Sequence, residues 1–308
     1  MQVFQRIMSQ IISKPMKLSI VIPTLGGKQL NDTILSILSS TQVVDEILLC
    51  IPKSNELMLD EKLHKSVQII WTQHNGQVFQ RCVGFSKARG DFVLQLDDDI
   101  ILDKNCILKM MQFMTESKEN ASISPIYYDQ LEAVEMRYNH NSFFRKCKYW
   151  LMNGSVGYVP GKISLTGIGF IFDFQNKEKR INEVDWLSGA CVLHKKENLV
   201  LENYYPFNGK AYSEDLIHSS ILRKNLVKLF VLQDAIAYQD LYLYDKVSLL
   251  ELYKQYRANK YHTVLMTKNL TRLRLYYLVH LLNFIFLKII SKLKFFLDFS
   301  INKSIKIK

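Results

Sequence analysis

The chain has 308 residues, of which 48% are apolar and 22% are charged. A chain of this length can bury a full hydrophobic core, and the composition excludes a largely disordered protein. Its net charge of +11 is concentrated at one end, because residues 246–308 contain 13 Lys and Arg but only two acidic residues. Residues 1–245 hold 27 charges of each sign. We therefore expect a basic C-terminal appendage and no nucleic acid partner for the body of the protein.

The five cysteines are widely spaced and form no Cys-x-x-Cys pair. This pattern is typical of reduced, buried thiols in a cytosolic protein. Residues 1–16 lack the uninterrupted apolar core and the small-residue cleavage site of a signal peptide. We expect them to form a short N-terminal extension.

The first hundred residues alternate short apolar runs with segments of helical periodicity. This alternation predicts an α/β protein with a Rossmann-like, mostly parallel sheet flanked by helices. In such sheets the ligand lies at the carboxyl ends of the strands. In chain order, the predicted elements are strand Lys17–Pro23, helix Asn31–Ser40, strands Glu46–Ile51 and Val67–Thr72, helix Gln77–Arg89 and strand Phe92–Leu96.

The second half of the chain is less regular. Residues 126–183 mix aromatic and basic side chains, and we interpret them as loops and short elements that cover a site. Strands are predicted at Trp186–Leu193 and Leu229–Ala237. Ser213–Lys224 is predicted to be a helix with Ser213 as its N-cap.

Three adjacent carboxylates, Asp97, Asp98 and Asp99, follow the predicted strand Phe92–Leu96. Adjacent carboxylates repel one another unless a cation neutralises them, and Mg²⁺ or Mn²⁺ prefers oxygen ligands of this kind. The triplet therefore predicts a metal site at a strand end. A solvated acidic turn is the alternative.

The surrounding sequence resembles a known signature. Residues 74–100, together with the end of the first strand, are similar to the nucleotide-sugar signature of family 2 glycosyltransferases, which have the GT-A fold. Cys82 departs from that signature, because the family usually has Asn at its position. The matching positions are Pro23, Thr24, Asn75, Gly76, Arg81, Gly84, Gly90, Asp91 and Asp97–Asp99.

Two later blocks extend the resemblance over about residues 17–240. Trp186–Ala190 resembles a strand that approaches donor sugar and acceptor, and Glu214-Asp215 followed by Arg223 resembles a helix that carries the catalytic base. The ordered set of blocks is more specific than any single block. It is closest to the rhamnosyltransferase-like branch, which builds surface polysaccharides.

The resemblance implies an inverting transfer of a sugar from a nucleoside-diphosphate sugar to a hydroxyl of a glycan or lipid-linked acceptor. Asp215 would be the catalytic base. Asp99 and Asp97 would hold Mn²⁺ or Mg²⁺. The implied donor-binding residues are Pro23, Thr24, Asn75, Gly76, Arg81, Asp97 and Asp98, and the implied acceptor-side residues are Trp186, Gly189, Ala190 and Glu214.

Some of these residues have other readings when they are taken alone. Arg81 is also compatible with an exposed helix arginine in an ion pair, and Asp215 with a first-turn acid that complements the helix dipole. Related enzymes often carry a metal-binding His after the strand that follows this helix. Here either Gln239 or Asp240 replaces it, or the metal relies on Asp99 and water. His74, His194, His218 and His262 are expected to have structural roles.

The C-terminal tail contains the uncharged stretch Leu275–Leu287, which is too short to span a bilayer. Its helical pattern places polar and basic residues on one half and apolar residues on the other. We expect residues 270–308 to bind an anionic membrane surface, so that a cytoplasmic protein lies at the inner face of the cell membrane. A helix packed on the catalytic domain or on a partner subunit is the alternative. The predicted domains are therefore 1–16, 17–245 and 246–308.

Two other functions compete with the transferase. A sugar nucleotidyltransferase would require a longer Gly-rich, basic loop than Thr24–Lys28 provides. A membrane-peripheral, non-catalytic scaffold with the same fold is favoured by Cys82 and by the missing His near Gln239, but the intact Asp97–Asp99 and Asp215 argue against it.

Overall fold

The computed structural model describes residues 16–129, 142–172, 180–239 and 248–305, with the backbone alone at residues 287 and 289–305. These residues form two compact units. The first, which we call the sheet unit, contains residues 16–129, 160–163, 169–172 and 180–239. The second, the helical unit, contains residues 142–159, 164–168 and 248–305. Residues 1–15 of the expected N-terminal extension lie outside the described residues.

The described elements follow one another along the chain, and short 3-10 helices at Glu61–Ser66, Gly154–Val156 and Lys196–Asn198 lie between them. In chain order they are β1 (Leu18–Pro23), α1 (Gln29–Leu38), β2 (Glu46–Pro52), β3 (Gln68–Thr72), α2 (Gln77–Lys87), β4 (Phe92–Leu96), β5 (Ile101–Leu102), α3 (Cys106–Glu116), β6 (Ala121–Asp129), α4 (Phe143–Asn153), β7 (Ile181–Glu183), β8 (Cys191–Lys195), α5 (Glu214–Lys224), β9 (Lys228–Gln239), α6 (Leu249–Leu265) and α7 (Leu270–Ile305).

The described strands form one sheet in the order β3-β2-β1-β4-β8-β6-β9-β5, with β7 paired to β9. Strands β3, β2, β1 and β4 run parallel, and β8 pairs antiparallel with both β4 and β6. The predicted mostly parallel sheet flanked by helices is confirmed. The antiparallel β8 is inserted at the centre, between the parallel pairs β1–β4 and β6–β9.

Both faces of the sheet are covered because successive residues of a strand point to opposite faces. Ile20 and Ile22 of β1 belong to a large buried cluster with residues of α1 and α3. Val21 packs on the other face with Phe85 of α2. This two-sided burial explains why β1 reads as a continuous apolar run rather than as an alternating one.

The register of the parallel strands brings their carboxyl ends together. Val21 of β1 lies opposite Gln95 of β4, and Pro23 lies opposite Cys50 of β2. The residues that follow β1 and β4, Thr24 and Asp97, therefore meet at one edge of the sheet. This edge is where the resemblance and the strand order both predict a ligand.

Several predicted elements differ from the structure. Residues 126–183, predicted as loops and short elements, contain the end of β6 and the three-turn helix α4. The strand predicted at Trp186–Leu193 begins only at Cys191. Just before it, the backbone oxygen of Gly189 accepts from Arg81, and that of Ala190 accepts from the Asp97 N–H. Helix α3 was not predicted, and α6 lies within residues 246–308, which were predicted as a helical tail without helix bounds.

Two expectations about single residues also change. Ser213 occupies the N-cap position of α5, but its backbone is left-handed, with a φ of 57°, and its side chain makes no capping hydrogen bond. The five cysteines, all within the described residues, are free as expected. Cys147 is exposed, however, whereas the other four are buried.

The helical unit is held together by contacts between distant segments. The Arg272 guanidinium of α7 donates to the backbone oxygens of Trp150 and Leu151 at the end of α4, at 2.9 and 3.3 Å. In α6, Thr263 donates to the Thr166 oxygen at 2.6 Å. No helix in the described ranges combines the length and the apolar character that crossing a bilayer requires.

Helix α2 approaches the sheet closely at Gly84. A Cβ atom on Gly84 would lie 2.7 Å from the Cys50 sulfur and closer still to a Val21 methyl group. Both neighbours are buried side chains of the central strands. The absence of a side chain at Gly84 therefore sets the distance between α2 and the sheet, and with it the position of the residues that α2 carries.

We predict that Gly84→Ala destabilises the protein by about 1–3 kcal/mol, since overpacking a close contact costs more than the better helix propensity of alanine returns. Denaturant unfolding would measure this change in free energy. Ser86→Ala, at an exposed position of the same helix, is the matched control and should leave stability unchanged or slightly higher. Equal stability of the two variants would contradict the close approach.

Candidate active site

The residues after β1 and β4 are joined directly. The Thr24 hydroxyl donates to the Asp98 carboxylate and accepts from the Gly26 backbone N–H at 2.9 Å. The hydroxyl of Thr33 in α1 donates to the Asp98 backbone oxygen at 2.9 Å. Asp98 is therefore fixed by two elements, and Thr24, which is buried, holds its side chain.

Arg81 of α2 lies at the centre of the site. Only 1% of its surface is exposed. One amino group donates to Asp97 Oδ1 at 2.7 Å and to the Gly189 oxygen at 3.2 Å, and the other donates to Glu214 Oε1. Glu214 also accepts from the Tyr204 hydroxyl at 2.8 Å. The guanidinium thus links the end of β4, the segment before β8 and the first turn of α5.

This environment keeps Arg81 charged. Burial alone lowers the pKa of Arg81, but the charges of Glu214 and Asp97 raise it above its ordinary value. A buried cation between two carboxylates is costly to disrupt, because removal of one member leaves another charge unpaired. The alternative of an exposed helix arginine is wrong. The predicted contact between Arg81 and a diphosphate stays a prediction.

Two glutamines of α2 support the same edge of the sheet. Gln77 donates to Asp97 Oδ1 at 3.0 Å. Gln80, which is buried, donates to the backbone oxygens of Thr24 and Cys50 at 2.8 and 2.6 Å. Helix α2 therefore positions both the turn after β1 and the first carboxylate after β4.

The segment before β8 is a loop that the site holds in place. The Gly189 oxygen accepts from Arg81 and from Gln95 of β4, and the Ala190 oxygen accepts from the Asp97 N–H at 2.8 Å. A Cβ atom on Gly189 would lie 2.5 Å from Glu214 Oε1. Glycine is therefore required for this segment to approach Glu214.

Asp215 differs from the neighbouring Glu214. Burial raises the pKa of Asp215 to about 7, the negative charge of Glu214 adds to the rise, and the hydrogen bond from the Leu216 N–H, 2.9 Å long, opposes it. Burial also raises the pKa of Asp97 and of Asp98, and Arg81 counteracts the rise at Asp97. A carboxyl group with a pKa near neutrality can accept and release a proton under physiological conditions.

The nearby histidines have structural roles. His218 of α5 stacks on the Tyr204 ring, with ring centroids 5.5 Å apart, and burial lowers its pKa to about 3. His194 of β8 shares a 2.8 Å hydrogen bond with Ser122, and burial lowers its pKa well below the usual value. Both rings remain neutral at physiological pH, so neither competes with Asp215 as a titrating group.

The three carboxylates do not converge on one point. Asp97 Oδ1 faces Arg81 and Gln77, while Asp98 is bound by Thr24. Within the described ranges no cluster of three or more His, Cys, Asp or Glu side chains is arranged to hold a metal ion. Gln239 ends β9, and Asp240 lies outside the described residues. The carboxylates of Asp97–Asp99 would suit a cation that is held by one or two carboxylates together with the phosphates of a ligand.

Other predicted residues line two cavities. Asn75 and Gly76 lie at the start of α2, beside a cavity of about 300 Å³ whose opposite wall is residues 203–211. Trp186 lines a different cavity of about 60 Å³ with Tyr127, and its indole N–H donates to the Phe170 oxygen at 2.9 Å. The structure thus brings Thr24, Arg81, Asp97, Asp98, Gly189, Ala190 and Glu214 into one bonded cluster and places Asn75, Gly76 and Trp186 beside neighbouring cavities.

The sequence reading missed the polar residues that support this cluster. Gln95 could have been found, because it is a polar residue inside the buried strand β4. Gln77, Gln80 and Tyr204 carry no such signal. Their partners are distant in sequence, and only the fold brings them together.

Comparison with known proteins identifies a family. The family described as Glycosyl transferase family 2 matches residues 19–172, which is half of the chain. A search of curated proteins found no match.

Solved structures share the fold. The crystal structure of GalNAc-T7 with UDP, GalNAc and Mn²⁺ is 16% identical with a TM-score of 0.56, over 80% of this chain and 48% of that one. Residues 1–349 of S. aureus TarS in complex with UDP-GlcNAc are 16% identical with a TM-score of 0.49, over 81% of this chain and 66% of that one. This chain therefore spans about half the length of the first protein. The predicted GT-A fold is confirmed.

We predict that Arg81→Met destabilises the protein by about 3–5 kcal/mol, because the buried Glu214 and the half-buried Asp97 lose their partner. Denaturant unfolding would measure the loss, and Arg81→Met combined with Glu214→Gln should recover part of it. Arg89→Met is the control: 77% of the Arg89 side chain is exposed, so solvent screens its charge, and its ion pair with Glu46 is expected to contribute about 1 kcal/mol or less. Similar losses for the Arg81 and Arg89 variants would contradict the central role of Arg81.

A second prediction concerns pH. Asp215 binds its proton more tightly in the folded protein, where its pKa is about 7, than in the unfolded chain, so ionisation opposes folding as pH rises from about 4 to 7. Asp215→Asn should therefore be more stable than the wild type at pH 8, by about 1–3 kcal/mol, and the difference should vanish near pH 4. Unfolding free energies measured across this range test the shift. A difference that does not change with pH would refute it.

Proposed function

Because this chain belongs to glycosyl transferase family 2, we propose that it is an inverting, metal-dependent glycosyltransferase. It moves a sugar from a nucleoside-diphosphate sugar to a hydroxyl of a glycan or lipid-linked acceptor, in surface polysaccharide synthesis. The observation that carries this proposal is the guanidinium of Arg81, which joins Asp97 at the end of β4 to Glu214, the neighbour of Asp215. In this proposal Asp97 belongs to the donor side of the site and Glu214 to the acceptor side, so Arg81 holds the two sides at a fixed distance.

The donor binds at the strand-end edge. The base and ribose of the donor contact Pro23, Thr24, Asn75 and Gly76. The cavity beside Asn75 and Gly76 supports this placement. Asp97 and Asp98 contact the ribose and the donor. Arg81 acts in this proposal as a positioning residue that fixes Asp97 and supplies positive charge near the diphosphate.

A divalent cation, Mn²⁺ or Mg²⁺, is held by Asp99 and Asp97 together with the donor diphosphate. The side chain of Asp97 supports this, because the hydrogen bonds from Arg81 and Gln77 both reach Oδ1, and a cation would bind through Oδ2. When bound, the cation neutralises negative charge that develops on the leaving nucleoside diphosphate. Mn²⁺ is present in the solved structure of GalNAc-T7, a protein with the same fold.

Asp215 accepts the proton of the acceptor hydroxyl. At the same time the hydroxyl oxygen forms a bond to the anomeric carbon of the donor sugar, and the bond between that carbon and the diphosphate breaks. A single displacement of this kind inverts the anomeric configuration. A pKa of about 7 makes Asp215 a stronger base than an ordinary carboxylate while leaving it partly ionised near neutral pH. Glu214 stays bound to Arg81 and Tyr204 and positions Asp215.

The acceptor approaches from the segment before β8. Trp186, Gly189 and Ala190 form this side, and the cavity lined by Trp186 and Tyr127 supports it. Gly189 also leaves room for Glu214. The acceptor is anchored at the inner face of the cell membrane, and residues 270–308 hold the cytoplasmic protein at that anionic surface.

The test is calorimetric titration with UDP, GDP and dTDP in the presence and absence of Mn²⁺. We expect one nucleotide to bind in a metal-dependent manner. Asp99→Ala should weaken this binding at least tenfold, since even partners outside the first coordination shell contribute about 10–100-fold to metal affinity. Asp60→Ala, which removes an exposed carboxylate, is the control and should bind like the wild type.

Asp215→Asn separates binding from chemistry. It should bind the nucleotide normally, and release of nucleoside diphosphate from the matching sugar donor should fall by about 10²–10⁴-fold, the usual contribution of a general base. Folded protein that binds none of the nucleotides would refute the transferase and favour the scaffold. Formation of pyrophosphate from a sugar phosphate and a nucleoside triphosphate would instead identify a sugar nucleotidyltransferase.

A further inference from the structure

A groove of about 480 Å³ lies between α4 and α7 of the helical unit. Its volume falls within the range of about 300–1,000 Å³ that small-molecule sites occupy. The residues that line it recur at helical spacing, so each helix presents one face to the groove. They are Phe144, Arg145, Cys147, Lys148 and Leu151 of α4, and Tyr276, Val279, His280, Leu282, Asn283 and Phe286 of α7.

The groove is lined by large apolar side chains that remain open to solvent. Phe144 is 83% exposed, Phe286 60% and Leu282 58%. Phe143 and Trp150 of α4 are also exposed. Apolar side chains concentrated in this way mark a surface that binds another molecule, since soluble proteins rarely leave a contiguous apolar patch of such a kind uncovered.

The charged residues that line the groove, in the part of the chain that the structure describes, are basic. Residues 142–159 contain Arg145, Lys146 and Lys148 and no acidic residue, and the first acid of α7 is Asp298. Arg145 and Lys148 lie in the groove itself. A ligand that matches this surface therefore combines a hydrocarbon part with a negatively charged group.

The walls of the groove are fixed by contacts between the two helices. Arg272 closes one end, through its hydrogen bonds to the last backbone oxygens of α4 and its position 5.5 Å from the centre of the Trp150 ring. One turn further along α7, the Lys148 ammonium lies 5.4 Å from the centre of the Tyr276 ring. The groove extends from there toward Phe144 and Phe286.

We propose that this groove receives an acyl chain of an anionic phospholipid, with Arg145 and Lys148 at its phosphate group, and so seats the helical unit on the bilayer. The inference rests on the membrane association proposed above. It adds α4 to the membrane-binding surface and assigns the lipid chemistry. It does not depend on the transferase reaction.

A second apolar groove, between α6 and α7, fits an anionic lipid less well. Its lining includes a single cation, Arg274, whereas Arg145 and Lys148 both line the first groove. Charge thus distinguishes two grooves of similar apolar character on either side of α7. This difference gives the experiment an internal comparison.

Sedimentation with vesicles of phosphatidylcholine, with and without phosphatidylglycerol, tests the proposal on the full chain. The wild type should bind the anionic vesicles. Phe144→Ser and Leu282→Ser should each bind roughly tenfold less, since a large apolar side chain no longer enters the bilayer. Leu250→Ser is the matched control, because Leu250 is 60% exposed in the same unit and does not line the groove. An equal loss for Leu250→Ser would overturn the groove as the binding site.

The charge is tested separately. Arg145→Glu should weaken binding to anionic vesicles by roughly tenfold, whereas Lys62→Glu, the same change in the sheet unit, should have little effect. Circular dichroism spectra and thermal unfolding midpoints equal to those of the wild type would show that both variants are folded. A third outcome is that deletion of residues 270–308 abolishes vesicle binding while the groove variants bind like the wild type. That result would overturn the groove as the lipid site but would still support membrane association of the tail.

The exposed Cys147 gives a direct readout, since the other four cysteines are buried. A thiol-reactive fluorophore on Cys147 should be quenched by phospholipids with brominated acyl chains, because Cys147 lines the groove. Absence of quenching in sedimented protein would overturn the proposal. So would a dimer in solution that Phe144→Ser dissociates, because a second copy would then occupy the groove.

Discussion

The buried guanidinium of Arg81 is the constraint on which the site depends. A cation removed from water requires several acceptors in fixed positions, and Asp97, Gly189 and Glu214 supply them from three parts of the chain. The fold must therefore hold α2, the end of β4, the loop before β8 and the start of α5 in one arrangement. Glycine at 189 and the close approach of α2 at Gly84 follow from this requirement. The positions of Arg81 and its acceptors are therefore fixed as closely as the packing of the apolar side chains around them.

The same arrangement gives two adjacent carboxylates different properties. Glu214 is neutralised by Arg81 and bound by Tyr204, whereas the partly buried Asp215 accepts hydrogen bonds from backbone N–H groups. The charge on Glu214 then acts on Asp215 and raises its pKa further. Side chains with the same chemistry thus divide into a fixed anion and a titrating group, as in other enzymes where environment separates paired acids.

Local sequence patterns predicted the parallel half of the sheet, because β1 to β4 and α2 are short, periodic and bounded by turn residues. The pattern was equally clear in α3, whose buried residues Cys106, Met110 and Met114 recur at helical spacing, and it was overlooked. Helix α4 was hidden for a physical reason: many of its aromatic side chains are exposed, so no buried face stands out. The Arg81–Glu214 pair joins residues 133 positions apart, a separation across which no local pattern carries information.

The helical unit is assembled from segments that are distant in the chain. The hydrogen bond between Arg272 and Trp150 closes a loop of 122 residues. During synthesis on the ribosome, α4 therefore emerges long before α7 exists, and the backbone oxygens of Trp150 and Leu151 at its end lack the guanidinium that binds them in the folded unit. Contacts between segments so far apart in the chain form slowly, because a long loop must close before they are made. The folding of this unit can therefore be completed only after α7 has left the exit tunnel.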